Sequence, residues 1–130
     1  MKFTTVPGRF AICKLGAASA IPGWAATKPV FSITATPDEL SIICLEASVP
    51  DGIQTERGFL ALRIEGPFAF DAIGILQSFL APLAKASVPM FAVSTYDTDY
   101  IFIHEKHWPQ ALRALQQAGH ELQQAQSSKN

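Results

Sequence analysis

Ser94, Thr95, Tyr96, Asp97, Thr98 and Asp99 place hydroxyls and carboxylates in one uninterrupted run. Carboxylates in such a run can pair with an ammonium group through charge-assisted hydrogen bonds, while the hydroxyls orient it. The same residue types are also ordinary turn formers, so a purely structural hairpin tip is the competing reading. Catalytic readings fare worse. A hydrolase built on Ser94, His104 and Asp99 needs a serine on a strained, glycine-flanked elbow, and no GxSxG occurs. His104, Glu105 and His107 lie in HEKH, whose spacing is wrong for a helical metal motif and straddles a strand end and a helix start. No metal site is expected there. His120, beside Gly119, reads most simply as a helix-end cation or a solvent-exposed ring. Phosphate-cradling glycine motifs are absent, so no nucleotide or other cofactor is expected. The residues point to binding without catalysis.

The elements that must present this run can be read on either side of it. Met90–Val93 and Ile101–Ile103 are short apolar runs with strand character, which makes the acidic stretch the tip of a hairpin. Upstream, Phe59–Glu65 alternates as a strand until Gly66 and Pro67 break it. A helix is predicted from about Phe70 to Ser87, with Ile73, Leu76, Leu80 and Leu83 forming one apolar stripe and Phe79 beside them. Asp71 would sit in its first turn, and Pro82 should kink it or end its regular part early. A last helix starts near His107, tolerates Pro109 in its first turn, buries Trp108, Leu112 and Leu115, and stops at Gly119. Gln123–Asn130 is a polar tail expected to be disordered.

The first half is less regular. Arg9–Leu15 reads as the first strand, followed by the breaker-rich Gly16–Pro29, in which Trp24 is expected to plug the edge of a core, with ligand stacking as the alternative. Val30–Ala35 alternates as a half-buried strand. Thr36, Pro37, Asp38 and Glu39 spell a capping box, which predicts a single helical turn before the apolar strand that begins at Ser41. Ala47–Gly58, with a turn at Pro50–Gly52, is the strongest candidate boundary. The whole pattern is α+β, an antiparallel sheet with helices packed on one face.

A chain of 130 residues, 48% of them hydrophobic, is one compact unit or two small ones. No run approaches the roughly 20 apolar residues of a membrane span, and the N-terminus lacks a signal-peptide core, so a cytoplasmic location and no membrane partner are expected. The formal charge is −1 and the basic residues are dispersed, which argues against nucleic-acid binding. Cys13 and Cys44 have no CxxC spacing and read as small buried hydrophobes.

Five stretches resemble a known family. They are IPGWA at Ile21–Ala25, FSITATPDELSIIC at Phe31–Cys44, EGPFAFDAIGIL at Glu65–Leu76, LAPLAKASVPMFAVSTYDTDYIFI at Leu80–Ile103, and ALRALQQAGHEL at Ala111–Leu122. Together they resemble the stand-alone tandem ACT proteins, related to the ACT part of aspartate kinases and to the CASTOR-type amino-acid sensors. The resemblance implies tandem ferredoxin-like βαββαβ units, the first degenerate over residues 1–57, a C-terminal ACT domain over 58–122 and the tail at 123–130. It also implies a free amino acid as ligand, a homodimer and no catalysis.

Carried over by residue, the ligand would lie between Gly66, Pro67, Phe68 and Ala69 on one side and Ser94, Thr95, Asp97, Thr98 and Asp99 on the other. A helix N-terminus after Gly66 would attract the ligand carboxylate, with Asp71 competing for the same amides, and Asp97 or Asp99 would pair with its ammonium. Two positions depart from the family pattern. Ser87 and Val88 stand at a helix-to-strand corner usually made by glycine, so another backbone route is expected there, and Gly23 precedes Trp24 where relatives carry an acidic residue. The alternative function is an interaction module that dimerises through its sheets and binds no metabolite.

Overall fold

The computed structural model describes residues 1–69 and 71–123. They form strands β1 (Lys2–Leu15), β2 (Ser32–Ala35), β3 (Leu40–Leu45), β4 (Gln54–Ile64), β5 (Phe91–Ser94), β6 (Asp99–His104) and β7 (Glu121–Gln123), with helices α1 (Ile75–Lys85) and α2 (Trp108–Gln117). Two compact units divide the chain, one of Pro7–Phe59 and one of Met1–Val6 with the residues from Leu60 onward. Strands β1 and β4 contribute residues to both.

In the unit of Pro7–Phe59, β1 pairs antiparallel with β3, and β3 with β2. Alternation along β1 and β3 buries Ala11, Cys13, Leu40, Ile42 and Cys44 in one cluster, against which Trp24 packs half-buried from a 3₁₀ turn at Gly23–Ala25. The expected core-edge role of Trp24 is the one observed. Both cysteines are free and buried. Burial, with Cys13 beside it, pushes the Cys44 thiol up to about 11, so it packs as a hydrophobe rather than reacting as a thiolate.

The capping box at Thr36 does not make a helical turn. The Asp38 and Glu39 amides do donate to Thr36 Oγ1, at 3.2 and 3.1 Å, but the Thr36 amide donates to the Glu39 carbonyl at 2.9 Å. The pairing of Ala35 with Leu40 makes these residues a hairpin bend, too short for a helix. A second correction is that β4 begins at Gln54, earlier than Phe59. Its leading residues are polar or exposed and carry no alternation to read.

In the other unit the strand order is β7-β1-β4-β6-β5. Residues Phe3, Leu62, Ile64, Ile101 and Ile103 from the strands and Phe79, Leu83, Ala111 and Leu115 from the helices form a single buried cluster, so both helices cover one face. The sheet is antiparallel apart from β7, which pairs parallel with Lys2–Thr4 of β1. That pairing gives the N-terminus a place the sequence reading, which began the first strand at Arg9, did not include. Gln123 of the expected tail closes β7; residues 124–130, like Phe70, lie outside the described residues.

Helix α1 starts at Ile75, later than predicted. Gly74 adopts a left-handed φ of 79°, and before it the Ala72 amide donates to the Ala69 carbonyl at 2.9 Å. Ile73, placed on the apolar stripe by its spacing, is therefore 95% exposed. Leu76, Phe79, Leu80 and Leu83 keep the stripe. Asp71 is not in the first turn, which contains no acidic residue. Pro82 lies inside the helix, which continues to Lys85.

Both helices end the same way. The Ser87 amide donates to the Ala84 carbonyl and the Val88 amide to the Leu83 carbonyl; Gly119 to Gln116 and His120 to Leu115 repeat the pattern. Such an ending puts its penultimate residue in the left-handed region, where Gly119 has φ 94° and Ser87 has φ 61°. The alternative route expected for the Ser87 corner is not taken. Serine adopts the glycine conformation because the hydrogen bonds and the burial of Val88 require it.

His120 also differs from its sequence reading as an end cation or exposed ring. It is 8% exposed, stacks on Phe79 at 3.9 Å and 18°, and has Nε2 2.7 Å from the Ser78 carbonyl. Nδ1 is buried without a partner among the described residues, so Nε2 carries the proton that Ser78 accepts.

The left-handed conformation costs a residue with a Cβ roughly 1–2 kcal/mol, more than the roughly 0.5–1 kcal/mol of backbone entropy that glycine loses on folding. Ser87→Gly is expected to raise stability by about 0.5–1 kcal/mol, read as a higher urea midpoint with unchanged slope.

Candidate functional site

The β5–β6 hairpin presents the acidic tip because its turn is internally closed. The Thr95 amide donates to the Thr98 carbonyl at 2.8 Å, the Thr98 amide to Thr95 Oγ1 at 3.2 Å, and Thr95 Oγ1 to the Thr98 carbonyl at 3.1 Å. Ser94 Oγ donates to Asp99 Oδ1 across the base of the turn, where Ser94 and Asp99 are paired in register.

Two bonds then fix the tip against the end of β4. Thr98, only 7% exposed, donates its hydroxyl to the Ile64 carbonyl at 2.6 Å. Beyond the strand, the Phe68 amide donates to the Asp97 carbonyl at 3.1 Å. Gly66 permits this approach, since a Cβ there would stand 3.0 Å from the Asp97 carbonyl oxygen and 3.2 Å from the Phe68 ring.

Between tip and helix lies an open cleft of about 410 Å³. One wall is Phe68, Ala69 and Ala72 of the connecting loop with Gly74, Ile75, Leu76 and Gln77 at the start of α1; the other is the run Ser94–Asp99. The helix begins uncapped by any side chain, and its first closed bond is the Ser78 amide on the Gly74 carbonyl at 3.0 Å. The amides of Ile75, Leu76 and Gln77 thus have no intrahelical acceptor. The same cleft is lined by Asp97, whose carboxylate no donor among the described residues reaches, and Asp99, whose carboxylate Ser94 engages. Donors at one wall and acceptors at the other suit a molecule with both charges.

Of the residues expected at a ligand site, Phe68, Ala69, Ser94, Thr95, Asp97, Thr98 and Asp99 line this cleft, and Gly66 and Pro67 do not. Pro67 follows Gly66 through a cis peptide bond. Hydroxyls of Thr95 and Thr98 are committed to the turn and to β4, so they shape the site. The expected helix N-terminus after Gly66 lies at Gly74, which brings in Ala72, Gly74, Ile75, Leu76 and Gln77. Gly74 was the available signal, a residue able to break the apolar periodicity on its own. His104 Nδ1, considered above as a metal ligand, accepts the Lys106 amide at 3.2 Å and caps the 3₁₀ turn Glu105–His107.

Residues 54–117 match the family model of the ACT domain, and residues 8–52 match that of a family described as an N-terminal domain. A protein of Agobacterium tumefaciens, solved by crystallography, is 35% identical over 99% of this chain and 96% of its own, with a TM-score of 0.91. The chain belongs to the ACT-domain family. ACT domains are regulatory modules rather than catalysts. More distant structures share the fold. A Vibrio cholerae protein of unknown function, described as a possible transport protein, is 19% identical over 90% of this chain and 88% of its own at a TM-score of 0.73. The ligand-free regulatory subunit of aspartate kinase from Thermus thermophilus is 13% identical over 86% of this chain and 93% of its own at a TM-score of 0.59. In this ACT domain the βαββαβ series is β4, α1, β5, β6, α2 and β7, with the first residues of β1 between β7 and β4.

Thr98→Val removes the donor to the Ile64 carbonyl while keeping the side chain's shape. Leaving that carbonyl unsatisfied is expected to cost about 1–3 kcal/mol in chemical denaturation. Thr98→Ser, which keeps the hydroxyl, is expected to recover most of it.

Proposed function

We propose that this ACT protein is an amino-acid-binding regulator that senses its ligand in the cleft between Ser94–Asp99 and the start of α1. The observation that carries the proposal is the opposition of an uncapped helix N-terminus and a pair of carboxylates across a cavity of about 410 Å³. Ligand pockets run from roughly 300 to 1,000 Å³, so a free amino acid fits. Its carboxylate lies at the Ile75–Gln77 amides, where the helix dipole favours an anion. Its ammonium pairs with Asp97. Gly66 and Pro67 hold the loop in place rather than touch the ligand.

The same reading makes the protein a cytoplasmic homodimer. β5 ends the strand order of its unit and so offers an unpaired edge to a second copy. No helix among the described residues is long and apolar enough to cross a membrane. Residues 1–57 are proposed to be a reduced ACT-like half and 58–122 the ligand-bearing domain.

Thermal melts with each common amino acid at millimolar concentration test the proposal. A ligand at 100 times its dissociation constant is expected to add about 2.7 kcal/mol of stability. Asp97→Asn is expected to abolish the shift and leave the unliganded melting temperature unchanged. If no amino acid raises the melting temperature, the chain is an interaction module, and sheet-mediated dimerisation is its function.

A further inference from the structure

A proline inside a helix leaves one carbonyl without its donor, and in α1 that carbonyl belongs to Ser78. Pro82 has no N–H to give to the residue four positions before it, and a proline ring crowds the same carbonyl. The helix nevertheless runs on to Lys85. His120 Nε2 lies 2.7 Å from the Ser78 carbonyl, from 42 positions away in the sequence. We infer that His120 is the replacement donor that Pro82 makes necessary, and that through this bond the corner between α2 and β7 positions the helix-start wall of the cleft.

The imidazole is held from its own side. Its ring stacks on Phe79, the His120 amide donates to the Leu115 carbonyl at 3.0 Å, and the next amide, of Glu121, donates to the Met1 carbonyl at 2.8 Å. The end of α2 and the start of β7 therefore fix where Nε2 stands. Ser78 in turn gathers the start of α1. Its amide donates to the Gly74 carbonyl at 3.0 Å and its hydroxyl to the Ile75 carbonyl at 2.6 Å, and both of those residues line the cleft. A shift of the Ser78 carbonyl carries the uncapped amides with it.

Packing alone does not account for a histidine here. A buried, stacked ring is served by phenylalanine, whereas an imidazole buries Nδ1 with no partner among the described residues. That desolvation is unfavourable, and the bond from Nε2 offsets it by satisfying a carbonyl the helix cannot. That the wall so held receives an amino acid rests on the function proposed above; the bond and its cause do not.

A double-mutant cycle of His120→Phe and Pro82→Ala in the full chain tests this by urea denaturation. Phenylalanine keeps a stacking ring and removes the donor, and alanine at position 82 restores an amide within the helix that serves the Ser78 carbonyl. His120→Phe is expected to lower the folding equilibrium constant at least about fivefold more in the wild-type background than in Pro82→Ala. Amide hydrogen exchange reads the wall itself. In His120→Phe, exchange at Ser78 is expected to accelerate at least about tenfold more than at Val88, whose amide is bonded beyond the proline, and Pro82→Ala is expected to reverse the difference. Equal costs of His120→Phe in the two backgrounds, or loss of folding in both, overturn the role of replacement donor. Equal acceleration at Ser78 and Val88 overturns the positioning of the wall. Neither readout uses a ligand, so a melting temperature indifferent to every amino acid overturns the proposed function and leaves His120 in this role.

Discussion

The Thr98 hydroxyl, donating to the Ile64 carbonyl from a site closed to solvent, ties the acidic tip to the end of β4. The Ile64 carbonyl lies at the last residue of its strand, where it would otherwise be a buried acceptor needing a partner. The partner comes from a turn whose other residues are exposed. Because Thr98 is held, the Asp97 carbonyl next to it stands where the Phe68 amide can reach it, and only a residue as small as Gly66 lets the loop pass so close. Asp97 and Asp99 therefore line one cleft with the start of α1, and the tip that carries them is held by the Thr98 hydroxyl and the Phe68 amide. On the proposed reading, a cleft positioned this way is preorganised, which lowers the entropy lost when a ligand enters.

The opposite wall depends on how α1 is delivered. Its start is set by Gly74, whose left-handed backbone ends the loop and leaves the first amides uncapped. Further along, its first turn is fixed from the side by His120, which stacks on Phe79 and hydrogen-bonds the Ser78 carbonyl. His120 reaches that position because Gly119 turns the chain out of α2 and into β7. Backbone geometry at the end of one helix thus constrains the start of the other. The same corner starts β7, which pairs with Lys2–Thr4 and ties the N-terminus into this unit.

The sheet explains why the hairpin is rigid enough to serve. β5 and β6 pair through Phe91 with Phe102 and Val93 with Tyr100, and the two phenylalanine rings stack at 5.0 Å and 7°. On the other face Ile101 and Ile103 enter the core beneath the helices. A slip of one residue would carry Ile101 and Ile103 off the face the helices cover and put Phe102 there instead, so the register is fixed. That register places Ser94 opposite Asp99.

The sequence alone determined whatever depends on local pattern. Alternation marked Arg9–Leu15 and Phe59–Glu65 as strand, Gly119 ended α2, and the density of hydroxyls and carboxylates after Val93 marked a chemically distinct tip. The ACT resemblance supplied the βαββαβ order and most of the residues that line the cleft. Only the tertiary structure decided the features that cross between distant stretches. Ile73 fits the helical spacing yet stands in solvent, because one left-handed residue outweighs periodicity at a helix start. His120 reads as a surface ring until Phe79 and Ser78 are brought beside it. Lys2–Thr4 carries no strong strand signal and becomes strand because β7 and β4 leave a place to fill. Local chemistry encodes what a segment can form on its own, whereas hydrogen bonds and burial shared between segments select among those options, and those partners are tens of residues away.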